Sequence, residues 1–105
     1  MSRYNLKPKE EVKHFVSEVA VGFDRPLGGY FIQVFGHRDD DGEDTWVEPP
    51  EAVSKREDVL EKIRKYCDTT DTLTGKVHFL IMLGIDPAMV MKTNSASYQT
   101  YMEGR

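Results

Sequence analysis

The run Gly22-Phe23-Asp24-Arg25-Pro26-Leu27-Gly28-Gly29-Tyr30-Phe31-Ile32-Gln33-Val34-Phe35 admits few conformations other than a tight β-hairpin. Pro26 holds φ near the value needed at the first central position of a type I turn. Gly28 can take the left-handed conformation that completes a three-residue loop with a bulge. Arg25, preceding proline, is pushed to extended backbone, which suits a strand end. With Arg25 facing Gly29, Phe23 faces Phe31, Val21 faces Gln33 and Val19 faces Phe35 on one side of the ribbon. Aromatic and β-branched cross-strand pairs each add roughly 0.2 to 1 kcal/mol over alanine pairs, so this register is the expected one. Tyr30, Ile32 and Val34 make the other face apolar too, and the second strand is expected to be covered on both sides.

The flanking residues extend this ribbon. Between Pro8 and Phe23 two patterns compete. Val12, Phe15, Val16 and Val19 fit helical spacing, with Pro8 tolerated in a first turn and Glu10 and Glu11 suited to a helix start. The density of valine from Val16 to Val21 favours β structure, and a strand over about 12–24 is expected, with a helix up to Ser17 as its competitor. The second strand covers about 29–36, the polar residues His37 to Asp44 form a loop, and Thr45-Trp46-Val47-Glu48 form a third strand over about 45–48, ended by Pro49 and Pro50. Met1 to Lys7 reads as a loosely held lead-in.

Helical signals dominate afterwards. Ser54 and Glu57 have the spacing of a reciprocal capping box, opening a helix over about 55–67. Val59, Leu60, Ile63, Tyr66 and Cys67 share its apolar face, and mixed charges take the solvent side. The segment 76–85 can be read as helix or as a strand buried on both faces. Leucine, methionine and lysine outnumber β-branched residues there, so helix is expected over about 72–83. Gly84 suits a C-terminal cap, and Asp86 with Pro87 can start a last helix over about 87–93. The tail over 95–105 is polar and small, and is expected to be flexible. The fold class expected is α+β: a three-stranded antiparallel meander, a capped helix and a C-terminal helical pair.

Size and charge bound the functions. At 105 residues the chain is expected to be a single compact domain with a core large enough to dispense with disulfide or metal staples. Cys67 has no second cysteine to pair with, and no leader or membrane-crossing apolar run is visible, which points to a reducing cytoplasmic setting. A net charge of −4 disfavours a general nucleic-acid binder.

Three constellations carry chemical possibilities. His37 to Glu48 overlays a calcium loop through Asp39, Asp41, Gly42 and Glu48, but His37 holds the first ligand position and Asp44 replaces an apolar residue. A solvated acidic loop is the expected state, and no metal site is assigned. Phe79 to Val90 has the outline of a helix-turn-helix, with only Lys92, Thr93 and Asn94 to offer a major groove; DNA binding through about 76–93 is the alternative reading. His14, His37, His78 and Cys67 are the reactive side chains, and their spacing forms neither a triad nor a zinc set. Calcium-responsive or enzymatic roles rank third, and no catalytic residue or cofactor is assigned.

What the sequence favours is a small, non-enzymatic, cytosolic binding or regulatory protein. Phe23, Arg25, Tyr30 and Trp46 are the expected partner-binding anchors, because interfaces favour aromatic and arginine side chains. The partner is another protein or a second copy.

Overall fold

A computed structural model describes residues 3–48 and 51–92. The α+β expectation holds. A three-stranded antiparallel sheet in the order β1-β2-β3 is built from β1 (Tyr4–Leu6), β2 (Glu18–Asp24) and β3 (Gly29–Phe35). Three helices follow: α1 (Arg56–Tyr66), α2 (Thr72–Met82) and α3 (Pro87–Lys92). They line one face of the sheet. Val19, Val21, Tyr30, Ile32 and Val34 form a single buried cluster with Val59, Ile63, Tyr66, Val77, Leu80, Ile81 and Met91.

The hairpin forms, but its register is shifted by one residue from the sequence expectation. Phe23 pairs with Tyr30, Val21 with Ile32 and Val19 with Val34. The loop has four residues because Asp24 closes it. Its carboxylate accepts the Leu27 N–H at 3.3 Å, and its carbonyl accepts the Gly28 N–H at 2.7 Å. Gly28 takes φ +67°, the left-handed conformation expected of it. A one-residue slip exchanges the faces of a strand. Here it sets Tyr30, Ile32 and Val34 beside Val19 and Val21 under the helices, and moves Phe31, Gln33 and Phe35 to the opposite face. Phe31 and Ala20 are buried there as well, outside the helix-lined cluster.

The third strand is not the one expected. Residues 45–48 make only an isolated bridge, Trp46 with Phe35, through the Gly36–Thr45 and Val47–Val34 hydrogen bonds. Pro49 and Pro50, which have no N–H to extend a ladder, come next. The third strand is β1, within the segment expected to be a loose lead-in. Tyr4 and Leu6 turn inward opposite Val21 and Val19, with Asn5 outward. The chain stays anchored beyond β1: the Asp68 N–H donates to the Lys7 carbonyl, and the Lys9 N–H to the Tyr66 carbonyl, each at 2.9 Å. The strand expected from residue 12 starts only at Glu18, after a short 3-10 turn over Glu10–Val12. The competing helical pattern therefore won for one turn.

The helices fall close to their expected bounds, with different ends. No capping box forms at α1. The Ser54 N–H donates instead to the Tyr30 carbonyl at 2.7 Å, a pairing on the outer edge of β3, and Lys55 takes the cap position without a side-chain bond. At α2 the Asp71 carboxylate accepts both the Thr74 N–H and its hydroxyl, at 3.2 and 3.0 Å. The helix alternative for 76–85 is the one realised, up to Met82. The tail over 95–105 lies outside the described residues.

Candidate functional site

α2 has more apolar residues than one face can bury. Leu73, Val77, Leu80 and Ile81 are turned toward the core. Phe79, Met82 and Leu83, spaced to share the opposite side, are each more than half exposed. The helix ends in a Schellman turn: the Ile85 N–H reaches the Leu80 carbonyl at 3.0 Å and the Gly84 N–H the Ile81 carbonyl at 2.9 Å, with Gly84 at φ +76°. Asp86 then opens α3, its carboxylate accepting the Ala88 N–H at 3.0 Å. Pro87 and Met91 are buried, leaving Met89 and Val90 outward at 62% and 54% exposure. Five large apolar side chains are thus exposed about the corner where the two helices adjoin.

The hairpin loop reaches this corner. Arg25 Nε lies 3.4 Å from Asp86 Oδ2, and its guanidinium sits against the Met89 sulfur. Arg56 closes the side toward α1, since a Cβ on Gly84 would lie 2.7 Å from its Nη1.

Of the four anchors expected from sequence, three gather near this end and one does not. Arg25 is exposed at the rim. Phe23 and Tyr30 pack edge-to-face on each other, 5.1 Å between centroids, and Tyr30 is buried. Burial pushes the Tyr30 phenol above its ordinary range. Trp46 sits at the other end of β3, stacked on Phe35 at 4.6 Å and partly exposed. The sequence reading missed Phe79, Met82, Leu83, Met89 and Val90. Their signal was a surplus: apolar residues left over once the inward stripe of α2 is filled.

The remaining constellations are engaged otherwise. In the acidic loop the Asp39 carboxylate accepts the backbone N–H groups of Asp41 and Glu43 at 3.0 and 2.9 Å, and Arg38 pairs with Asp44 at 3.1 Å. Glu48, the closing ligand of a calcium loop, instead accepts the Tyr66 hydroxyl and lies 3.8 Å from both Lys62 and Lys65. The Tyr66 phenol is raised by burial first and then by this bond to a carboxylate. No group of three His, Cys, Asp or Glu side chains converges among the described residues.

Cys67 is fully buried, and burial pushes its thiol up to about 12, so it is a core thiol rather than a thiolate near neutral pH. His37 Nε2 meets the Lys13 carbonyl at 2.7 Å, His14 rests edge-on against Phe15, and Arg64 donates to His78 Nε2 at 3.3 Å. Burial, then Arg64, lowers the His78 pKa. Of the candidates for reading DNA, Thr93 and Asn94 lie outside the described residues, as does the side chain of Lys92; the outward side chains described on α3, Met89 and Val90, bring no donor to a groove. No helix among the described residues is long and apolar enough to cross a membrane. No protein-family model, curated protein or solved structure matches this chain.

Proposed function

We propose that the chain is a small, non-enzymatic cytosolic binding or regulatory module that contacts another protein surface through the α2–α3 corner. One observation carries this reading: Phe79, Met82, Leu83, Met89 and Val90 are exposed together on adjoining helices, although none of them is needed to fill the core. Exposed apolar side chains grouped on adjoining helices suit an interaction site, and methionine adapts its shape to a facing surface. Arg25, held by Asp86, supplies the polar rim, and the Phe23–Tyr30 pair supports the loop that carries it. The buried thiol suits a reducing compartment.

The test is photo-crosslinking in cells of the native host. A benzophenone residue replaces Met82 or Met89, with Glu61 on α1 as the control position. Polypeptide adducts are expected from the two corner positions and not from Glu61. Absence of any adduct from the corner would overturn the proposal.

A further inference from the structure

We infer that Met89 is a site of reversible oxidation by peroxide, and that Arg25 captures the resulting sulfoxide, so that oxidation fastens the hairpin loop to α3. Accessibility narrows the choice of methionine. Among the described residues Met82 and Met89 are exposed and Met91 is buried, and a thioether must be open to solvent before an oxidant in solution can reach it. What separates Met89 from Met82 is a neighbour. The Arg25 guanidinium donates through Nη2 to the Met89 sulfur, and no side chain among the described residues donates to the sulfur of Met82.

That guanidinium is held in place by α3 itself. Arg25 Nε lies 3.4 Å from Asp86 Oδ2, on a carboxylate whose side chain is only 9% exposed. The same carboxylate accepts the Ala88 N–H at 3.0 Å. Asp86 and Met89 stand three positions apart across the first turn of α3, joined by the Met89 N–H and the Asp86 carbonyl at 2.8 Å. Side chains so spaced are neighbours on one side of a helix, and a guanidinium anchored at the first is carried to the second.

The reaction is an oxygen transfer. The Met89 sulfur gives an electron pair to one oxygen of hydrogen peroxide, and the O–O bond breaks as the S–O bond forms. The departing hydroxide takes the proton from the transferred oxygen and leaves as water; sulfur is oxidised to the sulfoxide and the peroxide is reduced. The product is a different partner for Arg25. A thioether is a weak acceptor, whereas a sulfoxide oxygen is a strongly dipolar one, and a bond to it from a guanidinium is charge-assisted. Both side chains are more than half exposed and are free to shift to admit the added atom. Because Arg25 lies in the loop between β2 and β3 and Met89 lies on α3, a stronger bond between them restrains the loop. Methionine sulfoxide reductases return the thioether, which makes the change reversible.

The test uses the full chain in a Met82→Leu background, where Met89 is the one exposed thioether among the described residues. Dilute hydrogen peroxide under native conditions is expected to add one oxygen to Met89 in peptide mass mapping while Met91 stays reduced. Hydrogen exchange at the Leu27 and Gly28 amides, both bonded to Asp24 within the loop, is then expected to slow by about fivefold. Arg25→Ala is expected to abolish the slowing without preventing the oxidation. Met89→Leu is expected to abolish it whatever peroxide does at Met1 and Met102. Met89→Gln, which offers Arg25 an amide oxygen, is expected to slow the same amides with no peroxide at all.

Loop amides that exchange at an unchanged or faster rate once Met89 is oxidised overturn the capture, as does slowing that survives in Arg25→Ala. Met89 remaining reduced, or Met91 oxidising ahead of it, overturns the site itself.

Discussion

α1 and α2 are both eleven residues long and both bury four side chains: Val59, Leu60, Ile63 and Tyr66 on one, Thr74, Val77, Leu80 and Ile81 on the other. Their outer faces have little in common. α1 shows Glu57, Asp58, Glu61, Arg64 and Lys65 to solvent, with acids in its first turn and bases in its last, as its dipole favours. α2 shows Lys76 and then Phe79 and Met82. Folding asks only for the inward stripe, and the outer face answers to whatever lies outside it. For α1 that is water. For α2, exposed phenylalanine and methionine gain nothing in water and fill no part of the core, and the protein contact proposed above would account for them.

The sharpest way to break this comparison is to ask whether the inner faces are as equivalent as they look. Ile63→Ala and Ile81→Ala each remove a fully buried side chain, and each is expected to destabilise by about 2–5 kcal/mol in urea unfolding. Costs differing by more than that range would show that one helix dominates the core.

pH separates the helices next. The Cys67 thiol, just past α1, is raised from an ordinary 9.0 to about 12, so its contribution is complete below 9.0 and is lost as pH rises toward 12. Tyr66, also raised, adds to that loss above 10.0. His78 on α2 is lowered, so its contribution is present above 6.5 and is lost as pH falls below that value. Urea midpoints are expected to fall at both extremes, with Cys67→Ala flattening only the alkaline limb. An alkaline limb unchanged in that variant would contradict the assignment.

The helix ends make the smallest differences. Gly84→Ala forces a side chain into φ +76° against Arg56 and is expected to cost about 1–2 kcal/mol. Asp71→Ala removes the cap of α2 at about 1 kcal/mol, whereas Lys55→Asp, placed on extended backbone where α1 has no side-chain cap, is expected to gain about 0.5 kcal/mol or more. Thermal unfolding of the three variants checks the order, and a gain at Asp71→Ala would reverse the comparison.

These particulars also separate what was readable in the chain from what was not. The turn residues Pro26 and Gly28, the stripes of α1 and α2, and the stop at Gly84 followed by Asp86 and Pro87 all act within a few positions of themselves, and each is realised. The failures involve a competing partner. Ser54 forms no capping box: β3 takes the N–H that Glu57 would have accepted, and the cap position falls to Lys55. Asp24 captures the Leu27 N–H and lengthens the loop by one residue, which exchanges the faces of the ribbon. Tyr4 to Leu6 becomes a strand because β2 offers it an edge. In the candidate site, the surplus of apolar residues on α2 was visible as spacing, but its exposure was not.

By itself, then, the sequence determined the α+β class, the hairpin and the helices with their approximate ends, because those depend on local backbone preference and periodicity. Tertiary structure alone decided the hairpin register, the identity of the third strand and which aromatic and methionine side chains stay outside the core. Each of those is a competition for the same hydrogen-bond donor or the same buried surface between residues far apart in the chain, and only the assembled fold brings the competitors together.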